Sequence, residues 1–341
     1  MAPPRPREPR DPREEIPPGT LPGDVEWDAR MGELRAALDG LRAEIRARFP
    51  SRHPAGRGAS ALGFETLFSA LRRRLATLGM SERSGEVDEF GLDEVVLERA
   101  RPLLDFLFER WWRVELHGIS RLPETGPALL VANHSGLVPY DGLMLCHALF
   151  RERPSQAVAR FFVADWLWTL PFVQPSLARV GGVRACRENA ERLLAAGRRV
   201  VVFPEGVKGA AKSFRDRYRL QRFGRGGAVR LALETGVPLV PVGLVGAEEA
   251  HPILFKWNAP ARALGFPFLP VTPTFPWLGP LGLLPLPSKW VIRIGEPLRI
   301  DHFERDAAGD ELLLSRLTEE LRGEIQTLLE IGLRDRETVW G

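Results

Sequence analysis

The chain has 341 residues, 44% of them apolar and 27% charged, with a formal net charge of +3. These are the proportions of a soluble globular protein long enough for one large domain or two ordinary ones. Its two cysteines, Cys146 and Cys186, exclude a disulfide framework, and with no signal peptide ahead of them the expectation is a reducing, cytosolic setting.

Residues 1–27 alternate Pro, Arg and Glu with hardly any large apolar side chain, which predicts a disordered lead. A helical region is expected over 28–114. Leu34, Leu38, Leu41 and Ile45 keep one face at helical spacing, and Leu67, Leu71, Leu75 and Leu78 repeat it. A third helix-like stretch, 92–112, ends in Phe106, Phe108, Trp111 and Trp112. Core packing accounts for these faces more simply than membrane contact does. No internal repeat of solenoid length is present.

From 115 to 341 the pattern alternates between strand and helix. Short apolar strands are expected at 128–132, 160–164, 199–203, 238–245 and 290–294, and helices at 188–196, 227–234 and 311–329. The fold class that follows is α/β, a central mainly parallel sheet flanked by helices, with the helical region as an N-terminal extension. Ligands of such sheets gather at the carboxyl ends of the strands.

The uncharged run 263–288 is long enough to span roughly 30 Å of hydrocarbon as a helix. It carries Pro267, Pro270, Pro273, Pro276, Pro280, Pro285 and Pro287, and each proline removes a helical hydrogen bond, so a continuous helix is excluded. Phe266, Phe268, Leu269, Phe275, Trp277, Leu278, Leu281, Leu283 and Leu284 are nonetheless too apolar for a solvated loop. The segment is therefore either buried or resting on a lipid surface.

Three polar signatures follow three of the strands. Asn133-His134-Ser135-Gly136 comes directly after 128–132, with Asp141 further on. A histidine leaving a buried strand is placed to meet a ligand, and a carboxylate can fix its tautomer. The alternatives are a histidine bonded locally in a turn and an aspartate that caps a helix. Phe203-Pro204-Glu205-Gly206 follows 199–203, a turn that lets backbone approach a ligand. Gly181-Gly182-Val183-Arg184-Ala185-Cys186-Arg187 is a glycine-led loop before a helix, where arginine forks suit a phosphate or are plain surface charge. Ten basic residues against two acidic ones lie between Arg198 and Arg230. That patch would attract phosphate head groups, a nucleotide-bearing donor or an anionic membrane. Its aromatic residues, Phe214, Tyr218 and Phe223, are few for a nucleic-acid stacking platform, so no nucleic-acid partner is expected.

Taken in order, the NHS…D signature, the Gly181–Arg187 spacing, FPEG and the Val240-Pro241 strand resemble the lysophospholipid and glycerol-phosphate acyltransferase superfamily over roughly residues 115 to 300. The tract 203–249 looks closest to the branch that also holds mono- and diacylglycerol acyltransferases. The resemblance implies that His134 is the general base, Asp141 its partner and Arg187 a phosphate-binding residue, with Glu205 and Gly206 in the acceptor site. Asn133, Ser135 and Gly136 beside the base, and Phe203, Pro204 and Lys208 around the FPEG turn, complete the implied substrate contacts. The family has four residues between His and Asp, whereas six separate them here. On a straight helix that offset is about 10 Å of rise, so the pair meets only if the loop bends, for which Pro139 is suited.

The implied reaction is transfer of a fatty acyl group from acyl-coenzyme A or acyl carrier protein to a glycerolipid hydroxyl, the acceptor being a lysophospholipid or 1-acylglycerol-3-phosphate, with no cofactor and no metal. No G-x-S-x-G elbow occurs, so direct transfer is expected over a serine acyl-enzyme, with Cys186 as the alternative nucleophile. Rival readings are a mono- or diacylglycerol acyltransferase, a non-catalytic lipid-binding protein on the same fold, and a nucleotide hydrolase. The last rests on Gly206–Ser213, which nearly matches a phosphate loop but has Ala211 in place of its second glycine. Peripheral or monotopic contact with the cytoplasmic face of an anionic membrane is expected from the proline-rich segment and the basic stretch together.

Overall fold

The computed structural model describes residues 87–136, 138–154, 156–169, 173–263 and 265–340. The disordered lead expected for 1–27 and the helical faces of 31–79 lie outside the described residues. Helix α1 (Glu94–Phe106) starts where Asp93 accepts the Val96 N–H at 3.1 Å, a side-chain cap for an otherwise orphaned donor. It runs on through a π-helical turn, Leu107–Trp111, to Trp112. Trp112 is fully buried, stacks on Trp290 at 4.5 Å and donates its indole N–H to Leu286 O, while Trp111 donates to Pro285 O. The aromatic cluster thus clamps the end of the proline-rich segment.

Strands β1 (Glu115–His117), β2 (Ala128–Ala132), β3 (Arg160–Val163), β4 (Gly182–Arg184), β5 (Arg199–Val202) and β6 (Leu239–Val245) alternate with helices. The helices are α2 (Tyr140–Glu152), α3 (Asp165–Trp168), α4 (Val173–Arg179), α5 (Arg187–Ala195), α6 (Gly206–Ala210) and α7 (Gly227–Thr235). After β6 come α8 (Ala247–Ala250), the small ribbon β7 (Phe255–Lys256) and β8 (Pro270–Val271) with α9 (Asn258–Ala263) between its strands, then β9 (Val291–Ile294) and α10 (Glu311–Asp335). The main sheet has the order β1-β9-β6-β2-β5-β3-β4. β6, β2, β5, β3 and β4 run parallel, whereas β9 is antiparallel to β6 and carries β1 parallel to itself. The sheet is therefore mainly parallel, as the alternating pattern implies.

β2 and β6 are buried at every residue because helices cover both faces, which is why they read as unbroken apolar runs. Leu129 and Val131 face the layer built by α5, α7 and α10, and Leu130 and Ala132 face α2. Each Val, Leu or Ile so buried contributes about 1.5–3 kcal/mol. Helix α10 is six residues longer than the sequence pattern suggests, with Asp310 accepting the Leu312 and Leu313 N–H groups at its start.

Two sequence expectations need revision. The glycine-led loop before Arg187 contains an edge strand, β4, too short and too small in side chain to show a period. The proline-rich segment is neither wholly buried nor wholly exposed: Phe268, Val271, Thr272 and Ser288 are core, whereas Trp277, Leu278 and Leu284 stand in solvent.

Candidate active site

Because β2 and β5 are register neighbours, Val131 opposite Val202, the residues that leave their carboxyl ends come side by side. These are His134 from one strand and Phe203-Pro204-Glu205-Gly206 from the other. The chain after His134 folds back at Pro139, where the Tyr140 N–H donates to Val138 O at 2.8 Å, and Asp141 enters the first turn of α2. The bend closes the six-residue gap, bringing His134 Nδ1 within 2.7 Å of Asp141 Oδ2. That carboxyl is fully buried and also accepts the Ser135 N–H at 3.0 Å and the Gly142 N–H at 2.8 Å. An oxygen already accepting a backbone N–H acts as acceptor for the ring as well, so in the neutral imidazole Nδ1 carries the proton and Nε2 the lone pair. Phe203 stacks on the imidazole at 4.6 Å and 27°, fixing the ring plane.

Glu205 faces inward. Its Oε1 accepts the His134 backbone N–H at 2.9 Å, and its Oε2 accepts the Gln221 N–H at 2.7 Å and lies 3.2 Å from Lys212 Nζ. Lys212 reaches on to Glu248 at 3.0 Å, and Glu248 accepts the Tyr218 N–H at 3.1 Å. Burial pushes the Glu248 carboxyl up to about 7, against the pull of Lys212. The approach of α6 to this pair needs Gly209, where a Cβ would stand 2.5 Å from Glu205 Cβ and 3.1 Å from His134 Cβ.

His134 forms part of the wall of a cavity of about 610 Å³ whose apolar lining includes Phe162, Val163, Leu167, Val202 and Leu231. Of the residues expected from sequence, Gly136, Arg187, Phe203, Pro204 and Gly206 line it with His134. Arg187 opens α5 and is paired with Glu191 at 2.6 Å and Glu234 at 2.8 Å, carboxylates that hold its guanidinium above its ordinary value.

The other expected contacts do not face this space. Asn133 is buried and bonds both ways to the backbone of Leu244, at 2.9 and 2.7 Å, so it ties β2 to β6 rather than touching a ligand. Ser135 is buried and offers its N–H to Asp141. Glu205 is consumed by internal donors, and Lys208 is exposed outside the cavity lining. The near-match to a phosphate loop also fails in three dimensions: Lys212 is 3% exposed and held between two glutamates, unavailable to a phosphate. Sequence reasoning missed Arg225 and Arg230 as cavity residues, and Glu248 as the end of the buried charge chain. The charged pair Glu248-Glu249, two residues past the end of an apolar strand, was the one signal for the latter.

The Acyltransferase family model matches residues 113–245, the span from β1 through β6 that builds this site. An uncharacterized protein of Mycobacterium leprae is 48% identical over 255 residues, which are 74% of this chain and 70% of that protein. The chain belongs to the acyltransferase family. It is also similar, at 27% identity over 173 residues, or 49% of each chain, to a Bos taurus protein named DGAT1/2-independent enzyme synthesizing storage lipids. A crystal structure of the 1-acyl-sn-glycerophosphate (LPA) acyltransferase PlsC from Thermotoga maritima matches with a TM-score of 0.40 and 21% identity over 76% of this chain and 89% of that one. In this acyltransferase the match begins at the clamp around Trp112 and ends with β6, while α10 lies beyond it.

Proposed function

We propose that this acyltransferase moves a fatty acyl group from a thioester donor, acyl-coenzyme A or acyl carrier protein, to a glycerolipid hydroxyl, with His134 as general base. The reading is carried by the 2.7 Å contact of His134 with buried Asp141 at the wall of an apolar cavity. His134 Nε2 takes the hydroxyl proton as the oxygen attacks the thioester carbonyl. The tetrahedral intermediate collapses with cleavage of the C–S bond, and the leaving thiolate takes the proton back from the imidazolium, giving an ester and a free thiol. Asp141 stabilises the imidazolium between the two steps. The reaction so written uses no cofactor.

For the acceptor, a lysophospholipid or 1-acylglycerol-3-phosphate is favoured by Arg225, which lines the cavity and has no carboxylate partner among the described residues. A neutral mono- or diacylglycerol is favoured by Arg187, whose charge is already met by Glu191 and Glu234; the name of the Bos taurus relative points the same way. Contact with the cytoplasmic face of an anionic membrane is part of the proposal. Leu254, Phe255, Trp257, Trp277, Leu278 and Leu284 are exposed, and the β7–β8 ladder joins the two stretches that carry them. His251 donates to Leu283 O at 2.7 Å and stacks on Tyr140, next to Asp141, so this apolar turn is tied to the catalytic loop. Among the described residues no helix is long and apolar enough to cross a membrane.

The deciding experiment supplies purified protein with labelled acyl-coenzyme A or acyl carrier protein and a panel of lysophospholipids, glycerol phosphate, monoacylglycerol and diacylglycerol. Transfer to one acceptor class, falling by about 10²–10⁴-fold in a folded His134→Ala variant, is the expected result. A folded variant with parental turnover would sink the general-base role, and lipid binding without transfer would make this a non-catalytic lipid-binding protein.

A further inference from the structure

We propose that Lys212 and Glu248 are positioning residues of the acyl-transfer site, acting through Glu205 on the backbone of His134. The proposal rests on the reading of His134 as the base. Lys212, Glu205 and Glu248 have side chains no more than 6% exposed, and they form one line: His134 N–H to Glu205 Oε1, Glu205 Oε2 to Lys212 Nζ, Lys212 Nζ to Glu248 Oε1. Glu248 is held in turn by the Tyr218 N–H, and the Tyr218 hydroxyl accepts the Gly246 N–H at the start of α8. The line therefore runs from the end of β6 to the end of β2, the two strands already tied together by Asn133.

A buried carboxylate persists only if paired, and removing one partner costs more than the pair is worth because the remaining charge is left in a dry site. Glu205 has two backbone donors, His134 and Gln221, and one cation, Lys212. Without that cation it must bind a proton or turn toward water. Protonation weakens both accepted hydrogen bonds, and rotation breaks them. In either case the His134 backbone loses the one side chain that grips it from β5, while the Asp141 contact, made to the ring, remains. Glu248 fixes the far side of Lys212, whose flexible stem would otherwise leave Nζ free to move. The lysine singled out by its resemblance to a phosphate loop therefore serves as an internal counter-charge.

The test is Lys212→Met in the full chain, read by turnover and by hydrogen exchange at the His134 amide. The expected result is faster exchange at His134, by roughly tenfold or more, with kcat lower by about a hundredfold, the scale of an ångström-sized misplacement, and KM little changed. The triple variant Glu205→Gln, Lys212→Met and Glu248→Gln removes all three buried charges. With its amide oxygen at position 205 toward the His134 N–H, it keeps that acceptor while leaving the Gln221 N–H unmet, so it should restore protection at His134 and recover part of kcat. Parental exchange at His134 in folded Lys212→Met overturns the proposal, whether or not the protein transfers acyl groups. Loss of kcat that the triple variant does not recover in any part also overturns it. If Lys212→Met does not fold, the triple variant must; failure of both to fold refutes the counter-charge argument. An exchange result as expected in a protein without transferase activity would leave the positioning intact and remove only the reading of His134 as a base.

Discussion

Asp141→Asn tests the base assignment where the structure makes it most exposed. Asp141 accepts from three donors: His134 Nδ1 and the Ser135 N–H at Oδ2, and the Gly142 N–H at Oδ1. An asparagine has one acceptor end. With its oxygen in the Oδ2 place, the amide nitrogen faces the Gly142 N–H, and a buried donor is left unmet at a cost of about 1–3 kcal/mol. With the oxygen in the Oδ1 place, the amide donates to Nδ1, so the imidazole proton moves to Nε2 and the base is blocked. The first arrangement also loses a charge-assisted bond to the imidazolium, worth about 1.5–3 kcal/mol or roughly ten- to hundredfold in rate. The second approaches the roughly 10⁴-fold loss seen when a catalytic histidine is held in the wrong tautomer. The variant should therefore fold with a lower melting temperature and lose about 10- to 10⁴-fold in kcat, with KM nearly unchanged because Asp141 does not line the cavity. Steady-state kinetics with a fixed donor and a melting curve measure both. A folded variant keeping kcat within about threefold of the parent would refute the base-and-partner reasoning.

Three further outcomes are expected. Gly209→Ala introduces a Cβ 2.5 Å from Glu205 Cβ, and overpacking of this kind costs about 1–3 kcal/mol; melting and turnover should both fall, and an unchanged variant would show that α6 is free to shift. Glu248, raised from an ordinary 4.5 to about 7, binds its proton more tightly folded than unfolded, so its contribution is complete below pH 4.5 and is lost as pH rises toward 7. Between those limits stability should decline by up to about 1.4 kcal/mol per pH unit from this group, and chemical denaturation of Glu248→Gln should show that decline removed. Replacing Trp257, Trp277 and Leu278 together by Ser, all exposed positions, should lower sedimentation with anionic vesicles while the melting temperature stays put. High salt should weaken the parent's binding only in part, since apolar insertion is not screened; a triple variant that binds vesicles as the parent does would remove this surface from the membrane contact.

The parts of this molecule that a sequence shows are those whose environment is uniform along the chain. β2 and β6 are covered on both faces, so each reads as an apolar run, and the residues just beyond β2 and β5 stand out as polar. β1 and β4 escape notice because three residues at the margin of a sheet have no period to read. The His134–Asp141 contact depends on the turn at Val138–Tyr140, since spacing on a helix would keep the two apart.

Charge is where sequence reading is most exposed to error, because whether a cation reaches solvent is decided by residues far away in the chain. The ten basic residues between Arg198 and Arg230 look like one surface field. Arg199 is buried against the carbonyls of Pro123 and Glu124, Lys212 is held by Glu205 and Glu248, and Arg230 is paired with Glu311 at 2.6 Å. Lys208, Arg215, Arg217, Arg219, Arg222 and Arg225 remain exposed. A basic surface therefore survives, but it is smaller than the count, since Arg199 and Lys212 are buried and Arg230 is met by Glu311. The cation paired with the carboxylate that accepts the His134 N–H is one that no head group can reach. Screening by salt should accordingly weaken membrane contact through the exposed arginines and leave the Lys212 pair, buried and unscreened, as it was.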